Sequence, residues 1–278
     1  METIQCQELT DVQYCARGSI EIGGQTLTAD ETKAYVEFRL SHSFPVLTCD
    51  QTTLHPNTVA QSYQSMLHQV FNVGHIMKAY NPDENYRDRI LGSVVAVEFP
   101  PAPVGGWKVQ GDSARSPGIR AVAVIHKRAE WADKILAEHL GGRKRWTVSM
   151  ENTFRLKDGG FLVKDKTLAK EFTTPDDLLE QGWTYIPWSA APDKLMDCFD
   201  EKRVCMASKW GKRDTALLIG GLGARIHYQG VGITPLGKEP TAQIATMLAS
   251  QASQESGPEM GDGEWLCLDP ARMAPQVE

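Results

Sequence analysis

Apolar and polar residues alternate from Lys33 to Ser41, where Ala34, Val36, Phe38 and Leu40 interleave with Tyr35, Glu37 and Arg39. A period of two is the pattern of a half-buried strand. The period changes after His55-Pro56-Asn57-Thr58. Val59, Tyr63, Met66, Leu67, Val70 and Phe71 fall at i, i+4, i+7, i+8, i+11 and i+12. That spacing predicts a helix capped by Asn57 or Thr58, running to about Val73 and stopped at Gly74. Val-rich segments Ile90–Phe99 and Ile119–Ile125 read as strands, separated by a Pro- and Gly-rich loop. Arg128 to Leu140 reads as a helix with Trp131, Ile135, Leu136 and Leu140 on one face, ended by Gly141-Gly142. Trp146 to Glu151 is short, apolar and extended. Ala224 to Thr234 is again strand-like, and Glu239-Pro240 opens a predicted helix to about Ala249.

These elements divide the chain. Residues 1–30 form a polar N-terminal segment with a turn at Gly23-Gly24. Residues 31–249 form the main body. Within it, residues 155–220 read as an irregular insertion with scattered Trp183, Trp188 and Trp210 and a short helix after Thr174-Pro175-Asp176-Asp177. Residues 250–278 read as a flexible tail, poor in residues to bury. Strands interrupted by a few helices disfavour a parallel doubly wound sheet. The order predicts a mainly β fold with helices (α+β), a barrel or sandwich carrying helices on its outside.

Composition narrows the classes further. The chain has 278 residues, 41% hydrophobic and 23% charged. That is ordinary globular usage and excludes a disordered, collagen-like or coiled-coil chain. A formal net charge of −6 disfavours a general nucleic-acid binder. No apolar run is long enough for a transmembrane helix, and the first residues lack a signal-peptide pattern, so a cytoplasm-like compartment is expected. The cysteines at 6, 15, 49, 198, 205 and 267 contain no Cys-x-x-Cys pair. Free thiols, no metal site and no cofactor are expected.

The candidate chemistry lies in a few side chains. Gly220-Gly221-Leu222-Gly223 lacks the Lys and Ser/Thr of a phosphate loop and reads as a turn. Of the seven histidines, His139 sits in a last helical turn and His68 lies off an apolar stripe; both read as structural or solvent-facing. His42, His55 and His126 give no geometry. His75 follows a glycine just past a well-formed predicted helix, where a rigid element can aim it. Ser149 lies in the apolar strand Trp146-Thr147-Val148-Ser149-Met150-Glu151. A serine on a rigid strand becomes a nucleophile when a histidine takes its proton. His227 occupies the strand Arg225-Ile226-His227-Tyr228-Gln229, followed by Gly230 and Gly232. No His-x-x-x-His signature supports a metal-dependent hydrolase.

In order and spacing, Asn72-Val73-Gly74-His75, Ile90-Leu91-Gly92-Ser93-Val94, the strand 119–125, the helix 128–140 and Val148-Ser149-Met150-Glu151 resemble the prohead (capsid maturation) protease family of tailed bacteriophages. That family is similar to the herpesvirus assemblins, whose fold is a β-barrel ringed by helices. The resemblance covers about a third of the chain. It implies a serine endopeptidase that cleaves phage scaffold and major capsid protein precursors inside the assembling prohead, in the host cytoplasm. It implies no membrane and no specific nucleic acid as partner, and leaves homo-oligomerisation open. His75 and Ser149 are the implied base and nucleophile. By the assemblin analogy His227 orients His75, with Glu98 and Glu151 as competitors for that role. Two departures stand out: 78 residues separate Ser149 from His227, and the arginine pair that follows the second histidine in assemblins is replaced by Ile233-Thr234-Pro235. Backbone N–H groups near Gly230 to Gly232 would then have to stabilise the oxyanion. The family's self-removal implies self-cleavage in the tail, between Ala249 and Gly263. The competing class is a non-catalytic, protease-like scaffold or capsid assembly protein.

Overall fold

The computed structural model describes residues 7–9, 12–15, 18–48, 51–74, 89–104, 106–108, 115–140, 146–165, 167, 170–191, 214–221, 224–235 and 242–249. The strands are β1 (Gln7–Leu9), β2 (Val12–Cys15), β3 (Ser19–Ile22), β4 (Gln25–Thr28), β5 (Lys33–Leu40), β6 (Thr52–Leu54), β7 (Val70–Val73), β8 (Ile90–Glu98), β9 (Ile119–His126), β10 (Thr147–Thr153), β11 (Gly160–Val163), β12 (Thr184–Pro187), β13 (Thr215–Ile219), β14 (His227–Thr234) and β15 (Gln243–Leu248). Three α-helices accompany them among the described residues: α1 (Pro56–Ser62), α2 (Ala132–Leu140) and α3 (Asp176–Leu179). The protein is mainly β, as the pattern of its strands predicts.

Nine strands form one curled sheet in the order β1-β2-β15-β5-β9-β8-β7-β14-β10. Neighbours are antiparallel except β15 with β2 and β14 with β7. The curl brings β10 back towards β5 and β15, where the Ser41 hydroxyl donates to Met150 Sδ at 2.8 Å. Alternation along the strands decides what fills the concavity. Ala34, Val36, Phe38 and Leu40 of β5 are fully buried there, with Phe71, Val148, Val231 and Ile233. Phe38 and Phe71 stack with centroids 5.9 Å apart. Fully burying side chains of this size contributes about 1.5–3 kcal/mol each.

Two predicted helices are corrected. The segment 57–73 is helical only to Ser62; a 3-10 turn follows over Tyr63–Met66, and the chain then enters β7. His68 turns it, with φ +66°, and donates its N–H to the Val94 carbonyl. β-Branched Val70 and Val73 and aromatic Phe71 suit a pleated strand. Pairing with β8 and β14 then outweighs the helical spacing. The predicted cap is corrected too: His55 Nδ1 accepts from the Asn57 N–H at 3.2 Å, ahead of Asn57 and Thr58. The segment 239–249 is likewise a strand over 243–248, sandwiched between β2 and β5. A register shift between Ile244 and Thr246 brings buried Ile244 and Met247 to the same core, and Leu248 reaches the opposite face.

The N-terminal segment supplies the hairpin β3–β4 around Gly23-Gly24, both in the left-handed region, and adds β1 and β2 to the main sheet. Residues 155–220 are more regular than their composition suggests. They carry β11, β12 and β13, which with β6 form a sheet in the order β12-β11-β13-β6. One face of it packs Leu162, Ala216 and Leu218 against Phe44, Leu178 and Trp183. Leu217 and Ile219 join the main core, so the insertion shares that core. The tail, residues 250–278, lies outside the described residues, as does its expected cleavage.

Candidate active site

Ser149 lies mid-strand on β10 and pairs with Gly232 of β14. Gly232 in turn pairs with Asn72 of β7. The pairing of the strand at 227–234 with the serine strand follows the expectation from sequence. Ser149, Gly232 and Asn72 therefore form one row across three strands. Val148, Ile233 and Val73 of the next row point into the core. Side chains alternate along a strand, so the row carrying Ser149 faces the opposite, outer side. The next row on that face is Glu151, Gly230 and Val70. Asn72 and Glu151 are each 1% exposed and Ser149 is 9% exposed. Among the described residues no hydrogen bond fixes the Ser149 hydroxyl.

The two glycines make this face. A Cβ at Gly232 would overlap the carbonyl of Gly74, and would stand 3.2 Å from Asn72 Oδ1. A Cβ at Gly230 would stand 3.6 Å from Asn72 Nδ2 and 3.7 Å from the Glu151 carboxyl carbon. The Asn72 carboxamide thus lies along the glycine strip, nitrogen towards Gly230 and oxygen towards Gly232. Its Nδ2 donates to Glu151 Oε1 at 3.3 Å. Gly74 has φ +75°, a left-handed value that glycine adopts without strain, and donates its N–H to the Ile233 carbonyl at 2.9 Å. The chain leaving β7 therefore crosses above the residue that pairs with Ser149. His75, next in sequence, lies outside the described residues.

Comparison with protein-family models, with curated proteins and with solved structures finds no match to the chain.

His227 is exposed and pairs with Thr153, four residues along β10 from Ser149. At about 3.4 Å per residue that is roughly 13 Å along the strand, with the Glu151–Gly230 row between. The structure does not bring His227 beside Ser149. Glu98 is also elsewhere. It accepts from the Gly23 N–H and from Arg120 Nη1 at 3.0 Å, anchoring the β3–β4 hairpin. The Gly23 hydrogen bond, with help from Arg120, holds its carboxyl below the usual range. Of the residues weighed for the orienting role, Glu151 is the one that shares the face and the neighbourhood of Ser149.

The Gly230 to Gly232 amides are a poor fit to an oxyanion hole. β14 pairs on both sides over these residues, and ladder N–H groups lie in the sheet rather than pointing out of its face. β10 ends the sheet among the described residues, so N–H groups on its outer edge are backbone donors outside that ladder, close to Ser149.

Asn72 escaped sequence reasoning. Its signal was a lone polar residue within Val70-Phe71-Asn72-Val73, hidden because the segment read as a helix. His139 takes the structural alternative and not the solvent-facing one. It is 2% exposed, and burial pushes its pKa down to about 4. No helix among the described residues is long and apolar enough to cross a membrane. Among them no three His, Cys, Asp or Glu side chains are grouped to hold a metal ion.

Proposed function

We propose that the chain is a serine endopeptidase of the prohead-maturation type, with an assemblin-like architecture, acting on scaffold and capsid precursors inside the assembling phage prohead. One observation carries the reading: Ser149 lies in a row with Gly232, and the Gly74 carbonyl passes over Gly232 immediately before His75 in the chain. The strand that leads towards His75 and the strand that bears Ser149 thus lie on either side of β14.

Ser149 Oγ attacks the scissile carbonyl while the His75 imidazole takes its proton. The same imidazole returns the proton to the departing amine, and water then releases the acyl group by the reverse sequence. A buried, apolar-backed strand holds Ser149 still, so the histidine supplies the proton chemistry and little reorganisation is needed.

Ser149→Ala tests the reading. It should abolish cleavage of the capsid precursor and labelling by a fluorophosphonate, while leaving the thermal melt within about 1 kcal/mol of wild type. A Ser149→Ala protein that still cleaves would remove the assignment. A wild-type chain inert to both precursor and fluorophosphonate would favour the non-catalytic assembly role.

A further inference from the structure

Residues 100–104 follow β8 and expose five apolar residues in succession, Pro100, Pro101, Ala102, Pro103 and Val104. Single exposed apolar side chains are ordinary on a protein surface. An unbroken exposed run of this length is not, and it marks a contact surface. Val104 at its tip is fully exposed, so no part of its own chain covers it. The run is nevertheless held stiffly. Its three prolines have their φ fixed by the ring. Gly106, in the left-handed region at φ +83°, donates its N–H to the Pro103 carbonyl at 2.9 Å and closes a turn with Val104 at its corner. The base is clamped to α1 and to the 3-10 turn after it. Asn57 Oδ1 accepts from the Trp107 N–H and Asn57 Nδ2 donates to the Trp107 carbonyl, both at 3.3 Å. Trp107 meets the edge of Phe99 with centroids 5.6 Å apart, and Phe99 stacks on Tyr63 at 5.8 Å. An apolar arm ordered before it binds loses little freedom on binding.

The same chain carries a patch of matching chemistry. The other exposed large apolar side chains among the described residues are Val70, Ile90 and Leu179. Leu179 belongs to α3; Val70 and Ile90 stand on adjacent strands. Ile90 of β8 pairs with Asn72 of β7, and Val70 of β7 pairs with Ser93 of β8. Their sequence neighbours Leu91 and Phe71 turn into the core. By alternation Ile90 and Val70 face outwards, at 41% and 37% exposure. They stand at the β7–β8 end of the two outer rows that begin at Ser149 and Glu151.

We propose that the chain associates with a second copy of itself through this pair: the arm at 100–104 of one copy seats Val104 on the Val70 and Ile90 patch of the next. A tip and a patch at different places on one surface make a head-to-tail contact, which covers both apolar features and repeats from copy to copy. Copies that share a net charge of −6 repel, and the two features meet through uncharged residues alone. A short arm on a small patch buries less than about 1,200 Å² in total, the class of transient contacts, so association depends on concentration. The inference goes beyond the serine endopeptidase reading and does not rest on it. It sets the arm of one copy on the same sheet face as the Ser149 of another.

Sedimentation velocity of the purified full chain, with a thiol reductant present, tests this at about 5 to 500 µM, a range that brackets transient contacts of this size. Wild type should shift from monomer to dimer and larger species as concentration rises. Val104→Asp and Val70→Asp should each associate at least about tenfold more weakly, since each buries an unpaired charge in the contact. An equal mixture of the two should form a species of two chains and no larger one, because the intact arm of Val70→Asp still fits the intact patch of Val104→Asp. A wild-type chain that is monomeric throughout overturns the proposal. So does association that survives Val104→Asp or Val70→Asp unchanged, since another surface then makes the contact. A mixture that stays monomeric overturns it too, because the arm then does not meet the patch. Where Val70→Asp fails to fold, as judged by circular dichroism, Ile90→Asp takes its place throughout.

Discussion

At the scale of single residues, the site depends on what two glycines omit. Gly232 leaves the space into which the Gly74 carbonyl fits, and a methyl there would overlap backbone. Gly230 has only ordinary van der Waals neighbours at 3.4 to 3.7 Å. The two positions should therefore separate in a pair of alanine variants. Gly232→Ala should be destabilised by about 1–3 kcal/mol through overpacking and should lose fluorophosphonate labelling, because the chain leading into His75 must move. Gly230→Ala should fold with a stability within about 1 kcal/mol of wild type. Urea midpoints of both variants check the contrast. Equal destabilisation would show that the Gly74 crossing is not held as described.

At the scale of elements, β15 shows why local pattern misleads. Glu239-Pro240 is a good helix opening, and Ile244, Met247 and Leu248 have a spacing that a helix would accept. The chain nevertheless pairs with β5 on one side and β2 on the other. A strand between two others satisfies its backbone groups in both ladders and buries Met247 completely. Met247→Ala should cost about 2–5 kcal/mol by cavity formation, read as a lowered urea midpoint with unchanged slope. A change under about 0.5 kcal/mol, typical of a surface position, would place this segment outside the core. The segment 70–73 follows the same logic. Val70 to Val73 continue a helical stripe on paper, yet two neighbouring strands claim them.

At the scale of the whole molecule, one buried histidine should tie global stability to pH. His139 of α2 is excluded from solvent, and its folded pKa of about 4 lies below the ordinary histidine value of 6.5. Above pH 6.5 both folded and unfolded forms hold it neutral, and no penalty exists. As pH falls below 6.5 the unfolded chain takes up the proton first, so stability is lost progressively down to about pH 4, where the folded form is protonated too. Burial likewise pushes the pKa of His55 down, which adds loss in the same direction. Melting temperatures of wild type and His139→Gln, measured between pH 4 and pH 7.5, should converge towards the acid end. Parallel curves would exclude His139 as a source of the acid sensitivity.

Much was legible in the sequence because it is written locally. The alternation at 33–40 is the period of two of a half-buried strand, and the runs at 90–98 and 119–126 are rich in β-branched residues that suit a strand. The turn at Gly23-Gly24 and the start of α3 after Pro175 follow from backbone chemistry within a few residues. Ser149 could be picked out because a serine inside an apolar strand is locally unusual. The partners of Ser149 were decided by tertiary structure. Whether Val70 to Val73 and Gln243 to Leu248 become helix or strand depends on ladder partners far away in the chain. So does the neighbour of Ser149: register sets Gly232 and Asn72 in its row and leaves His227 opposite Thr153. A shift of one residue would turn Asn72 and Glu151 into the core. Only the pairing of β7, β14 and β10, fixed by burial of Phe71 and Val231 with Met150 packed against them on the inner side, holds both on the face of the serine.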